Sequence, residues 1–180
     1  MWRSTWSERA RGALTLLCAP MMCVLLIAAT SVLRDDRLSP IFGVSIPPGF
    51  RQWQLIAVSH EAGSLNELRA ILGNDIAVKA FRAGTLPFPD GAIIAKVAWK
   101  QVPSARDNAA LGQFQAFVPG APTTRQFMVK DSRRYASTGG WGFGRFIDGK
   151  AVDEAQHRTC APCHQAFASR RDMVFTHFAP

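Results

Sequence analysis

The run Thr159-Cys160-Ala161-Pro162-Cys163-His164, close to the end of a 180-residue chain, restricts the fold more than any other feature. Two thiols three positions apart span one helical turn, and a histidine directly follows the second. So placed, the thiols can add to the two vinyl groups of a haem, and the histidine lies beneath the iron as proximal ligand. Three other chemistries use paired cysteines. A structural disulfide leaves His164 without a role. A zinc site needs two further ligands, yet His60, His157 and His177 form no paired motif. A thioredoxin-like pair sits in a βαβ setting, whereas this motif comes after a series of strands. The expectation is one covalent haem c bound through Cys160 and Cys163, with His164 on the iron.

The other two cysteines, Cys18 and Cys23, lie in an apolar run at residues 13–33 and are read as packing residues there. Arg3, Arg9 and Arg11 precede the run, and Arg34-Asp35-Asp36-Arg37 stops it. Positive charge ahead of an apolar stretch holds its start in the cytoplasm and sends the downstream chain across the membrane. Small residues at 28–31 offer a cleavage site, and the run is equally long enough to stay as a single anchor. Residues 1–37 are therefore expected to be a signal peptide or N-terminal membrane anchor, and 38–180 a c-type haem domain in the periplasm. The formal net charge of +8 does not indicate nucleic-acid binding. Part of it lies in residues 1–37, and the remaining positives form no stripe.

With 48% hydrophobic and 19% charged residues, the chain has a globular composition. Residues 53–59 (WQLIAVS) read as a strand, and 68–72 fit either a short strand or the start of a helix. An Asn-Asp start and Gly84 bound a short helix over 75–82. Pro87, Pro89 and Asp90-Gly91 make a turn into a strand at 92–99, and further strands are expected at 111–118, 125–129 and 141–147. Residues 152–167 then form the helix that bears the haem motif. Strands followed by a helix give an α+β fold, mainly antiparallel sheet, unlike the all-helical small electron-transfer cytochromes.

Lys96 stands out within that apolar strand. Alternation puts Ile94, Lys96 and Ala98 on one face and Ile93, Ala95, Val97 and Trp99 on the other. A lysine so placed either snorkels from an edge or is held in a dry site, where its amine becomes neutral and nucleophilic. The residues alone favour snorkelling. A second axial ligand is needed for a six-coordinate electron carrier, and Met128, Met173 and His177 are the candidates. Met173 is only nine residues past His164, and Met128 lies on an expected strand where packing is its commoner fate. An open distal position, suited to small-molecule chemistry, is the more natural reading.

Several segments, in order, carry a family resemblance. They are Pro48-Gly49-Phe50-Arg51-Gln52-Trp53, Phe88-Pro89-Asp90-Gly91, and Val129-Lys130-Asp131-Ser132-Arg133-Arg134-Tyr135. After these come Gly140-Trp141-Gly142-Phe143, the haem motif, and Asp172-Met173-Val174-Phe175-Thr176. From residue 47 onward the chain resembles the cytochrome P-460 family, which includes the cytochromes c′-beta. The resemblance implies a mostly antiparallel sheet, common dimerisation, and a five-coordinate haem c that meets small nitrogen species and a periplasmic electron-transfer partner. In the P-460 branch a strand lysine, matched here by Lys96, also bonds to a haem meso carbon, and the proteins oxidise hydroxylamine and often nitric oxide. The c′-beta branch lacks that bond and binds nitric oxide behind phenylalanine-lined walls.

One departure affects the chemistry. P-460 enzymes carry a distal glutamate, the proton acceptor, on the strand before the Lys-Asp-Ser turn. Here that strand reads Arg125-Gln126-Phe127-Met128, and no acid occurs between Asp107 and Asp131. Gln126 hydrogen-bonds but takes no proton near neutral pH. Phe127 is expected to wall the pocket. Three readings remain: a P-460-like oxidoreductase using Lys96, Gln126 and Phe127, a nitric-oxide-binding c′-beta-like module, and an electron carrier.

Overall fold

The computed structural model describes residues 35–179. The N-terminal apolar run and its sorting role lie outside the described residues, apart from the last positions of the 1–37 segment. Among the described residues no helix is long and apolar enough to cross a membrane.

Six strands form one sheet: β1 (Gln54–Glu61), β2 (Glu67–Gly73), β3 (Ile93–Pro103), β4 (Phe117–Lys130), β5 (Trp141–Ile147) and β6 (Lys150–Ala151). They lie side by side in chain order, each antiparallel to the next. Four helices accompany them: α1 (Asp75–Ala83), α2 (Ala105–Leu111), α3 (Glu154–Arg158) and α4 (Cys160–Ala168). The α+β, mainly antiparallel fold is thus as expected, with the haem motif on the last helix.

Local chemistry explains where elements begin and end. Asn74 caps α1: its Oδ1 accepts from the N–H groups of Ala77 and Ile93, and its Nδ2 donates to the Gly91 carbonyl. Gly84, at φ 62°, closes that helix in the left-handed region. The ambiguous stretch at 68–72 is a strand, paired along its length with β1 and β3.

Two expectations are corrected. The strand expected at 111–118 is instead the end of α2, a loop, and only the start of β4. Ser104 starts α2, its hydroxyl accepting from Asp107 N–H and donating to Asp107 Oδ2, while Asn108 staples the loop through Gln115 and Ala116. The strand then runs through Pro119 and Pro122, which fall where β3 changes register and a missing N–H is tolerated. The single helix expected over 152–167 is two, α3 and α4, divided at Thr159. Fully buried His157 anchors the first: Nδ1–H donates to Asp153 O, and Nε2 accepts the Arg145 N–H of β5 at 3.1 Å.

Strand alternation gives the sheet two different faces. Cross-strand pairing aligns Ile71, Lys96, Gln126 and Arg145 in one row across β2 to β5, with Ile94, Met128 and Phe143 in the next. On the opposite face Phe127 packs edge-on against Phe146 and against Phe50 of the segment preceding β1. Phe42, Val44, Ala95 and Val97 belong to the same buried core.

Candidate functional site

Cys160 opens α4 and is half-buried, Cys163 is exposed one turn on, and neither forms a disulfide. Burial pushes the Cys160 thiol above its ordinary pKa, against the pull of the Arg145 charge. His164 is held between the rings of Phe143, at 4.9 Å, and Phe175, at 4.8 Å. Its Nδ1 lies 2.6 Å from the Met173 carbonyl. A carbonyl only accepts, so the proton is on Nδ1 and the lone pair on Nε2, the form a metal-ligating imidazole needs. Burial lowers the His164 pKa, outweighing the Met173 bond, and the Lys96 charge acts with burial. The Met173 carbonyl reaches the ring because Asp172 and Met173 turn the chain at φ 50° and 63°. Each such left-handed residue costs roughly 1–2 kcal/mol outside glycine, so surrounding contacts must hold the turn.

Cys160 and His164 open onto a cavity of about 800 Å³, within the roughly 300–1,000 Å³ typical of cofactor and ligand sites. The sheet supplies one wall through Ala57, Ser59, Arg69, Ile71, Ile94, Lys96, Gln126, Met128, Phe143 and Arg145. The C-terminal segment from Val174 to Ala179 supplies another, tied to β1 by the Ala179 N–H bond to the Ile56 carbonyl.

Lys96 lies in this wall, half-buried, as the alternation predicts. Desolvation lowers its pKa from 10.5 to about 8, helped by the Arg69 and Arg145 charges and opposed by those of Glu67 and Glu61. Snorkelling, favoured by the residues alone, gives way to an amine facing a partly dry cavity. Gln126 is directly across from Lys96 on β4 and donates to Thr124 Oγ1 at 3.3 Å. Phe127 borders the cavity through the strand it shares with Gln126, but its ring is only 1% exposed and packs with Phe50 and Phe146 on the other face. It keeps its expected place in the cavity lining, while period-two alternation turns its ring toward the face opposite Gln126. Met128 and Phe143 complete the apolar part of that wall. Met173 is buried, with its sulfur against Gly139, whereas exposed His177 lines the cavity.

Sequence reasoning missed Arg69, Glu61, Arg145 and the Met173 carbonyl. Alternation on β1, β2 and β5 would have placed the three charged residues on the Lys96 face once strand pairing was known. Arg69 binds Glu61 at 2.5 Å and Glu67 at 2.8 Å, and Thr123 Oγ1 donates to Glu67 at 2.6 Å. Burial alone would raise the Glu67 pKa, but the Thr123 and Arg69 bonds outweigh it and hold it below the ordinary value. Glu61 puts a carboxylate on the cavity wall from β1, although β4 has none.

The residues fit a haem. Two free thiols stand one turn apart beside an imidazole with its Nε2 lone pair available. The cavity is apolar along Ile71, Ile94, Met128 and Phe143, and cationic at Arg69, Lys96 and Arg145. Arg145 Nε is buried without a hydrogen-bond partner, an orphan that a propionate carboxylate would satisfy. Among the described residues no group of three or more His, Cys, Asp or Glu could hold a bare metal ion.

A β-meander with a CxxCH helix closing one face defines a sheet-based c-type haem protein. The chain belongs to the cytochrome P460 family, which matches residues 47–176, and haem c is the cofactor that membership implies. A comparison with curated proteins finds no match.

Proposed function

We propose that this is an exported mono-haem c-type cytochrome whose open distal face binds, and slowly oxidises, small nitrogen species such as hydroxylamine and nitric oxide. The observation that carries it is the cavity onto which Cys160, His164, Lys96 and Gln126 all open. Cys160 and Cys163 would attach the haem through thioether bonds, each S–H adding across a vinyl group so that sulfur bonds one carbon and hydrogen the other. His164 Nε2 would hold the iron, with the Met173 carbonyl fixing its tautomer. Arg145 and Arg69 meet the propionates.

Bound haem c would supply iron redox chemistry and a sink for electrons. Lys96, its pKa lowered to about 8, would offer a neutral amine toward the haem edge and is the residue that could be linked to it. Such a link would exchange one N–H and one C–H for an N–C bond, a two-electron oxidation that would need an external oxidant of the peroxide class. Gln126 orients a small ligand without removing its proton, and Glu61 is the cavity carboxylate left to accept one. A periplasmic electron carrier would take the electrons onward, and a homodimer is the expected assembly.

The apolar wall and the lack of a β4 carboxylate favour a second reading, a nitric-oxide-binding module of the c′-beta kind. The visible spectrum of the reduced protein separates the two. A ferrous Soret band far to the red, restored to an ordinary position by Lys96→Ala, with hydroxylamine-dependent reduction of an added acceptor, supports the first. An unshifted high-spin spectrum without turnover supports the second. A low-spin ferrous spectrum indifferent to carbon monoxide removes both in favour of an electron carrier.

A further inference from the structure

Two of the segments that carry the resemblance contain side chains with no role assigned above, Lys130 and the Asp172 carboxylate. The structure joins them. Lys130 is 5% exposed at the end of β4, and its Nζ lies 2.8 Å from both Asp172 carboxylate oxygens. It also donates to the Gly139 carbonyl at 3.0 Å and sits 5.0 Å above the Trp141 ring centre. Asp172 Oδ2 accepts a further bond, at 2.8 Å, from the Phe88 N–H ahead of β3. Asp172 is thereby tied to β4 and to the β3 approach at once.

Asp172 and Met173 are also the two left-handed residues that bring the Met173 carbonyl to His164. Met173 N–H is spent on Ala168 O at the end of α4, which fixes the turn from the other side. The Met173 sulfur rests on Gly139, where a Cβ would come within 2.5 Å of it. Gly139 is the residue whose carbonyl Lys130 holds. One ammonium therefore fixes both the acid that begins the turn and the glycine against which its side chain packs.

A buried ion pair is weak evidence for stability, since apolar residues of the same volume often do as well. What an apolar pair would not supply is a directional grip on Asp172. We propose that Lys130 and Asp172 are positioning residues for the proximal ligand. They hold the Met173 carbonyl on His164 Nδ1–H and so set how strongly Nε2 donates to iron. The inference rests on the reading of His164 as the haem ligand.

The test uses the haem-loaded protein and its Asp172→Asn and Lys130→Met variants. Asparagine keeps the size and tolerates the left-handed backbone, and methionine keeps the apolar stem. Haem staining on a denaturing gel reports attachment, and circular dichroism reports folding. Resonance Raman gives the ferrous iron–histidine stretch, and optical spectra of the ferrous nitric oxide complex give the fraction that has lost histidine. Both variants should fold and keep covalent haem. The stretch should move to lower frequency, and the equilibrium between histidine-free and histidine-bound nitrosyl forms should shift by about 10-fold or more toward histidine loss.

An unchanged stretch and nitrosyl equilibrium in folded, haem-bearing variants would overturn the proposal and leave the pair a merely structural one. If either single variant fails to fold, the neutral double variant Lys130→Met/Asp172→Leu decides by the same two readouts. A lowered stretch there supports positioning, and a wild-type stretch refutes it. Absence of covalent haem from the wild type, or a wild-type stretch in His164→Ala, would instead sink the haem-ligand reading beneath it.

Discussion

At the scale of single residues, adjacent positions on one strand carry opposite consequences. Gln126 faces the cavity and Phe127 the core, so truncating each should damage a different property. Phe127→Ala is expected to cost about 3–5 kcal/mol in urea unfolding, the range for deleting a buried aromatic ring. Gln126→Ala should leave stability within about 0.5 kcal/mol and, under the proposed function, change the affinity for nitric oxide instead. Gly142 is a third informative position. A Cβ there would lie 2.3–2.7 Å from the Tyr135 ring, and that ring's hydroxyl is fixed by the Phe42 carbonyl at 3.0 Å. Gly142→Ala should therefore destabilise by about 1–3 kcal/mol through overpacking, measurable as a lower urea midpoint with unchanged slope.

At the scale of elements, α1, α2 and α3 each start at a side-chain cap, from Asn74, Ser104 and Asp153, whereas α4 has none. Asn74 serves α1, β3 and the preceding turn through three hydrogen bonds. Asn74→Ala should lose about 1–2 kcal/mol, and Asn74→Asp, which keeps the acceptor and drops only the bond to Gly91, should recover most of it. The Ser104–Asp107 reciprocal pair marks the start of α2 and is legible as Ser-x-x-Asp. Pro119 and Pro122 obscure it, because they read as breaks and push the expected strand ahead of them. The division of the last helix at Thr159 is foreshadowed by Pro162, which has no N–H for the Arg158 carbonyl and is tolerated only in the first turn of α4. His157, bonded to the Arg145 backbone, anchors α3 on the near side of the break.

At the scale of the whole molecule, two groups give stability a pH dependence of stated sign. Lys96 has a folded pKa of about 8 against an ordinary 10.5, so the unfolded chain binds the proton more tightly. Its charge opposes folding in full below about pH 8, and stability rises between about pH 8 and 10.5 as the fold sheds the proton first. Glu67 acts in the acid range: its depressed pKa adds stability above the ordinary 4.5, which is lost as pH falls through the folded value. Urea unfolding of a haem-free Cys160→Ala/Cys163→Ala protein should show both limbs. Lys96→Met in that background should stabilise the protein at neutral pH and flatten the alkaline rise. If the alkaline limb persists unchanged in Lys96→Met, Lys96 is not its source.

The strongest site signal needs no structure, because covalent haem attachment depends on local spacing: Cys160, Cys163 and His164 are adjacent on one helix whatever surrounds it. Strand alternation likewise puts Lys96 on the face of Ile94, and the order of strands and helix foretells the α+β class. The rest is set by contacts between distant segments. Register, a property of pairs of strands, aligns Lys96 with Gln126 and Arg145 and turns Phe127 away from them. Charge on β1 and β2 becomes part of the cavity only when the sheet brings Glu61 and Arg69 beside Lys96. The hydrogen bond that orients His164 comes from a backbone carbonyl, which no side-chain motif can reveal, held by an ion pair between residues 42 positions apart.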